Sequence, residues 1–527
     1  MVKSDFVDAL SDPTRALLEF YDASGDIDAF PAKVAAHFAN IFASKDAFSE
    51  IPTIHTVDPR ENDRRLVSFR AMIQDTSPSP EMYLAKRSGG RCGGWGLADD
   101  AASDDAASDD DLDYADLREN TVMWAVGVPG ESDWVSSEID ATDAPRSTPL
   151  PESHPFKFPV PGAPHLGVQV KVYDTSRADL LKSTDLVTLV GILTMEIMTS
   201  ESESPNAIAV PTLHVLFSRP IPPTVVPRVF PYSSSTITFE RLRDQLISWI
   251  ADEGLAGDKE AAEWILLNII AKVQSRTPPL LPLSLTLSKF PPPPASASPT
   301  PRLSAVLAHL LPIVVTLPLS LDVLNNSSFS PESKNEDLHS GRLQLPRGSV
   351  CVVTEGGVTE GGVFDRGLRN LRALQEVMSS QSLEYIFPFS RFAFETDIAF
   401  LILSEGRKST FFQTNANVQL RPNKAGELYG EVKEPSPETL AMFRDLVGGA
   451  KIGNVTIGES VAEYIQEDFV AERKTAATPA EAVTSDDLIH RMMVTRLLTL
   501  SLHETEVTTD IWERTKAMEA ARRARLT

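Results

Sequence analysis

Cysteine is nearly missing from this sequence: Cys92 and Cys351 are the only two among 527 residues. That excludes a disulfide scaffold and any Cys-rich zinc module. Positive charge is also short. Against 73 acidic side chains stand 49 basic ones, a formal charge of −24, whereas a general grip on nucleic-acid phosphates needs a basic surface. A basic protein partner suits that balance, although the charge alone does not imply one. The first residues, Met1-Val-Lys-Ser-Asp-Phe-Val-Asp8, carry acids where an export leader would be apolar, so a soluble intracellular protein is expected. Residues 304–321 hold no charge, but they contain Pro312 and Pro318. Pro312 should end a helix begun near Pro301 and leave a short β-branched strand at 313–317, so buried elements and no membrane span are expected.

What is present reads as folded protein. Hydrophobic residues make up 42% and charged residues 23%, ordinary globular usage for two to four domains. Residues 10–48 read as two helices, with Asp12 as a cap, Pro13 at the first position, and Val34, Phe38, Ile41 and Phe42 as a core-facing stripe. From Val67 the period becomes strand-like. Strands are expected at 67–73, 81–85, 122–126, 168–173, 186–193 and 209–217, a spacing that suits a small barrel, an OB-like one being economical. Two insertions interrupt it. Residues 99–119 hold ten acids and one arginine, too little apolar surface to fold, so a mobile loop is expected; residues 138–153 read as a solvated Pro/Ser/Thr-rich tether.

A Pro-rich connector at 219–231 leads to a second half. Thr238 and Asp258 read as helix caps, the second helix carrying Ala262, Ile265, Leu266, Ile269 and Val273 on its apolar face. Apolar strands are expected at 281–288, 313–317, 350–353 and 398–403, alternating with helices as in an α/β layer covered on both faces. Residues 437–527 return to helices, Ser485 capping one of them. The last helix ends in Arg522-Arg523-Ala524-Arg525, which serves a helix dipole or an import signal.

No chemistry emerges. The Gly-rich stretches 354–362 and 448–454 lack the Lys-Ser/Thr that ends a phosphate loop, and 88–94 follows no long strand, so a flexible turn is expected for each. Nine histidines form no HExxH or paired cluster, and there is no G-x-S-x-G elbow. After the strand ending at Ser288, where an ATPase of this architecture would carry its lysine loop, stand four prolines, which lack amide donors. After the strand 350–353 come Thr354 and Glu355 in place of the Asp-Glu pair that magnesium and water activation would need. No residue is assigned as catalytic, cofactor-binding, metal-binding or partner-binding; no cofactor and no enzymatic activity are expected.

Short stretches in chain order nevertheless resemble the mini-chromosome maintenance (MCM) complex-binding protein family. They include Val67-Ser-Phe-Arg-Ala-Met-Ile-Gln-Asp75, Val128-Pro-Gly-Glu-Ser-Asp-Trp-Val135, Val170-Lys-Val-Tyr-Asp174, Gly191-Ile-Leu193, Ala262-Glu-Trp-Ile-Leu266, Ser340-Gly-Arg-Leu-Gln-Leu-Pro346 and Ser404-Glu-Gly-Arg407. Glu467-Asp-Phe-Val-Ala-Glu-Arg473, Ser485-Asp-Asp-Leu488 and Ala521-Arg-Arg-Ala-Arg-Leu526 extend the set to the last helix. The resemblance implies a nuclear, non-catalytic partner and chaperone of MCM helicase subunits, shuttling with the cytoplasm being compatible. Its roles would be stabilising, assembling or unloading those subunits in DNA replication and sister-chromatid cohesion. Chromatin would be reached through MCM, with no direct nucleic acid and no membrane. The helices of 484–518 look like the terminal helices of MCM subunits, Met493 falling near the place of an ATP-sensing arginine.

The expected fold class is α+β and multidomain: an N-terminal helical region (1–55), an OB-like β domain with insertions at about 97–119 and 138–153 (56–218), a degenerate AAA+-like α/β domain (219–435) and a C-terminal helical, lid-like region (436–527). Some relatives carry a basic import cluster in the mid-barrel insertion. Here those stretches are acidic or Pro/Ser/Thr-rich, which leaves 522–525 as the substitute. The alternatives are an active AAA+-type ATPase with unrecognised motifs and a single-stranded-DNA-binding OB protein.

Overall fold

The computed structural model describes residues 2–24, 29–58, 63–87, 91–97, 114–139, 154–198, 209–232, 239–294, 300–335, 337–358, 360–423, 428–475 and 483–526. The chain opens with four helices, α1 (Val2–Ser11), α2 (Pro13–Ser24), α3 (Phe30–Ile41) and α4 (Lys45–Ser49). Asp12 does cap α2, its Oδ1 accepting from the Arg15 amide at 3.0 Å. The sequence reading missed α1, whose acidic, weakly striped residues give little helical period.

Six strands follow: β1 (Leu66–Asp75), β2 (Glu81–Leu84), β3 (Leu117–Gly127), β4 (Gly167–Val172), β5 (Leu186–Ile197) and β6 (Ala209–Pro220). Five of them close on themselves. β1 pairs with both β3 and β5, β3 with β4, β4 in parallel with β6, and β6 with β5, while β2 extends β3. Strand alternation explains why β1 is buried almost throughout. Val67, Phe69, Ala71 and Ile73 fill the barrel interior; Leu66 faces outward onto a cluster shared with Phe38 and Phe42 of the helical start, and Met72 onto Trp124.

Both insertions are shorter than expected. Leu117, Arg118 and Glu119 pair with Leu84, Tyr83 and Met82 and so belong to β3. Glu138 lies in helix α5 (Asp133–Ile139), held there by cationic partners. The remainder, residues 98–113 and 140–153, lies outside the described residues. A short α6 (Thr175–Ala178) follows β4.

The second half starts with α7 (Phe239–Gly254) and α8 (Lys259–Ile270). Thr238 lies outside the described residues, but Asp258 caps α8, accepting from the Ala261 amide at 3.1 Å. Val273 is not on that helix. The helix stops at Ala271, and the Val273 amide bonds Asp397 instead. A small hairpin, β7 (Ser275–Arg276) with β8 (Pro279–Leu280), precedes β9 (Leu285–Ser288). Pro282 explains why residues 281–284 do not join β9, since a proline cannot donate to a ladder.

Next come α9 (Arg302–Leu310), β10 (Val314–Pro318), α10 (Leu321–Asn326), β11 (Glu332–Lys334), β12 (Asp337–His339), β13 (Ser349–Thr354), α11 (Asp365–Ser380), β14 (Ser382–Ile386), β15 (Arg391–Glu395), β16 (Ile398–Leu403) and β17 (Ala416–Gln419). A five-stranded parallel sheet has the order β10-β13-β16-β9-β17. Its unbroken apolar runs are covered on both faces. Val350, Val352, Leu401 and Leu285 face one core, and Cys351, Val353, Phe400 and Ile402 the other. A four-stranded sheet, β12-β11-β14-β15, flanks the second core.

Four helices close the chain: α12 (Pro437–Ile452), α13 (Glu459–Thr475), α14 (Ser485–Ser501) and α15 (Thr509–Leu526), with β18 (Thr456–Ile457) and β19 (Glu506–Val507) pairing in parallel between them. Two expectations are corrected here. The cap of α14 is Thr484, one residue earlier than expected, because Thr484 and Asp487 form a reciprocal capping box. Gly448 and Gly449 are not a turn. They lie inside α12, where a Cβ would stand 2.6 Å from the Arg228 side chain and 2.5 Å from the Val229 carbonyl, so close packing, not flexibility, requires them. No described helix is long and apolar enough to cross a membrane.

Candidate functional site

Two places in this fold bear on function: the carboxyl edge of the parallel sheet, where open α/β folds bind ligands, and the junction between the two halves. At the carboxyl edge, the chain leaves β9 through Lys289, whose φ is +56°. The Lys289 and Phe290 amides donate to the carbonyls of Gly406 and Ser404, and the Arg302 amide at the start of α9 donates to Leu428. Tyr429 adds a hydroxyl bond to the Pro291 carbonyl at 2.8 Å and an edge contact to Phe290. Glu355, just past β13, is buried, and its carboxylate accepts from the Ser409 hydroxyl at 2.5 Å and the Thr410 amide at 3.1 Å. Ser404, just past β16, donates to the Lys408 carbonyl at 3.0 Å.

The amides of Lys289, Phe290 and Arg302 therefore bond protein carbonyls, and the Glu355 carboxylate bonds protein donors. A triphosphate needs the reverse: free amides and a lysine aimed at the outer phosphates. The last helix seals the neighbouring strand. Arg522 and Arg525 of α15 donate to the Asn417 and Gln419 carbonyls of β17 at 3.1 Å each. Met493 packs partly buried against the main core, beside Leu497 and Leu280.

At the junction, the stretch at 128–135 acts as a clasp. Gly130, at φ +71°, passes 2.8 Å from the Val314 carbonyl measured at an added Cβ, so only glycine fits. Its carbonyl accepts from the Val314 amide at 2.9 Å, while Ser132 bonds the Pro312 and Leu311 carbonyls through its amide and hydroxyl. The Trp134 indole donates to the Ala308 carbonyl at 2.8 Å, with the Arg444 guanidinium 4.1 Å above its ring. Glu138 then pairs with Arg228 at 2.9 Å and Arg444 at 3.2 Å. Burial pushes the Arg444 guanidinium down, against the attraction of Glu138.

A second set of contacts is wholly buried. Gln74 of β1, Ser183, Gln344 and Tyr385 of β14 share hydrogen bonds, the Gln344 amide donating to the Gln74 carbonyl at 2.7 Å and the Ser183 hydroxyl meeting Tyr385 at 2.8 Å. Lys157, 1% exposed, lies between Asp75 of β1 at 3.3 Å and Asp337 of β12. The sequence pattern does not bring these groups together, because they come from separate segments, Gln74 and Gln344 being 270 residues apart.

The sequence matches the family described as "Mini-chromosome maintenance replisome factor" over residues 38–155 and 140–526. The chain belongs to this family. It is 25% identical to the Gallus gallus "Mini-chromosome maintenance complex-binding protein", over 94% of each chain. With the Arabidopsis thaliana protein of that name it shares 25% over 93% of this chain and 92% of the relative, and with the Homo sapiens one 24% over 98% of each. The match to the mini-chromosome maintenance family thus spans the barrel, the clasp and the carboxyl edge together.

Proposed function

We propose that this chain is a non-catalytic binding partner of MCM helicase subunits. The relatives' names state binding to the MCM complex, and the fold supports reading it as a mimic of a subunit. The barrel's pairing, with β4 and β6 parallel and β1 joining both ends, is the order of an OB fold. The parallel order β10-β13-β16-β9-β17 puts the first strand of its layer between the last two, as in AAA+ ATPases. The observation that supports the non-catalytic reading is the carboxyl edge, where the Lys289, Phe290 and Arg302 amides and the Glu355 carboxylate bond the protein itself and prolines follow β9. Such a chain would occupy subunit-interaction surfaces and block or reshape ring assembly by complementarity alone.

Stabilising newly made subunits, unloading them, supporting cohesion and acting in the nucleus are the finer parts of this proposal. Tagged full-length chain recovered from its own cell extract at moderate salt should carry MCM subunits; their absence would sink the reading. Calorimetry with ATP and magnesium should show no tight binding or turnover, and the ATPase alternative stands if it does. Titration with single-stranded DNA at two salt concentrations should give no steeply salt-dependent affinity.

A further inference from the structure

A cleft of about 930 Å³ opens between the barrel and the α/β half. It is at the upper end of sizes usual for ligand sites. One wall comes from the barrel side, with Arg177 and Asp185; the other carries Lys272, Arg347, Asp397 and Lys451. Four cations against two carboxylates reverse the sign of a chain that carries −24 overall.

Arg177 pairs with Asp174 at 3.3 Å, but the other three cations are poorly matched within the protein. The Lys451 ammonium is 7% exposed and donates to the Gly348 carbonyl at 2.6 Å; Lys272 donates to the Ile452 carbonyl at 3.0 Å. Among the described residues neither has a carboxylate within ion-pair distance, and an ammonium has three donors. Burial pushes Lys451 down to about 8 and lowers Lys272 as well. Arg347 reaches Asp185 only at 3.9 Å and Glu395 at 4.0 Å. Asp397 attracts both ammonium groups, but only from beyond ion-pair distance, so burial remains costly and an anion from outside would relieve that cost. Beside these charges, Ile221, Pro222, Pro223 and Val273 give an apolar surface, and Leu180 at the rim is 74% exposed.

We propose that this cleft docks an acidic, apolar-anchored peptide segment of a partner protein, its carboxylates meeting Lys272, Lys451 and Arg347 and its apolar side chains lying along 221–223. Charge complementarity selects this occupant, and the cleft's volume and mixed lining favour a peptide over a compact anion. The proposal goes beyond the MCM assignment and does not depend on it.

The test is fluorescence anisotropy of the full chain with a labelled decapeptide of alternating Asp and Leu. The matched Asn/Leu peptide and inorganic phosphate serve as controls. The Asp/Leu peptide should bind at least about tenfold tighter than the Asn/Leu one, as charge-assisted bonds are the stronger kind. Phosphate should not displace it. Lys272→Met and Arg347→Gln, both at partly exposed positions, should each weaken binding several-fold while leaving the melting temperature unchanged. Lys451→Met should weaken it most. Failure of the wild-type chain to bind, equal affinity for both peptides, displacement by phosphate, or unchanged affinity in Lys272→Met and Arg347→Gln would each overturn the proposal. Binding that appears only after deletion of residues 99–113 would identify the chain's own acidic segment as the occupant and overturn it too. Recovery of MCM subunits is read separately, so either result can fail alone.

Discussion

Lys157→Met keeps most of the lysine stem and removes only its charge. In the wild type, Lys157 is 1% exposed and Asp75 2%, with 3.3 Å between Nζ and Oδ2. The Ser77 amide and hydroxyl hold the other carboxylate oxygen, Oδ1, at 2.8 and 2.6 Å. The variant therefore leaves Oδ2 of a buried carboxylate without its cation, and Asp337 loses the same partner. Breaking one member of a buried pair costs roughly 3–5 kcal/mol. In a unit of 150–250 residues each kcal/mol is worth about 2–4 °C, so the melting temperature should fall by about 6–20 °C. Because Lys157 joins Asp75 of β1 to Asp337 of β12, barrel and α/β half should lose stability together in calorimetry. Adding Asp75→Asn should restore part of the loss, with a coupling of about 2 kcal/mol between the two sites. A drop under about 2 °C, or strictly additive variants, would refute the claim that this buried pair locks the halves.

Glu519 predicts a pH dependence. Burial alone would raise its carboxyl, but hydrogen bonds from His490 and Arg522 outweigh that and hold it at about 2, against an ordinary 4.5. A lowered carboxyl stabilises fully above its unfolded value and loses that contribution as pH falls from 4.5 toward 2, roughly 3 kcal/mol in all. Urea midpoints at pH 6 and pH 3 should therefore differ more in the wild type than in Glu519→Gln. Trp134→Ala should cost about 3 kcal/mol and raise proteolysis at the junction before the barrel core opens; an unchanged digestion pattern would argue against the clasp. Arg525→Ala should cost roughly 3–5 kcal/mol, since it leaves Asp258, 4% exposed and paired with it at 2.8 Å, as an unpaired buried charge. Arg523→Ala, at a 51% exposed side chain, should change stability by less than about 1 kcal/mol.

The barrel strands were legible because each carries a short alternating or β-branched run with a turn signal after it. The strands at 314–318, 349–354 and 398–403 were legible as apolar runs for the same local reason. Helix α11 went unread although it is strongly amphipathic, because a Gly-rich stretch precedes it and Gly367 interrupts its first turn. Gly448 and Gly449 misled in the other direction. Two adjacent glycines signal a turn from local propensity, but here tertiary contact with Arg228 and Val229 decides. The missing amide donors after β9 were readable from the prolines at 291–294, since a missing amide is a local fact. The cleft was not. Lys272, Arg347 and Lys451 come from three separate segments, and nothing near any of them in sequence marks a shared surface.

The sealed carboxyl edge and the buried junction together limit how such a protein could act. Opening the halves would strip buried Gln74 of its bonds to Leu338 and Gln344 and Lys157 of Asp337, losses that buried polar groups tolerate poorly. The body should therefore engage a partner as one rigid piece, not as a hinged clamp. On the proposed non-catalytic reading no nucleotide cycles the chain between states, and any reshaping of a partner has to come from differential affinity for two of the partner's conformations. Moving a two-state equilibrium from 1:99 to 99:1 takes about 10⁴-fold preference, roughly 5.5 kcal/mol. A handful of buried anchors can supply that much, whereas a broad acidic surface screened by salt cannot. On the proposed reading, partner variants that weaken binding should map to a compact apolar patch, and high salt should slow capture more than it weakens the complex once formed.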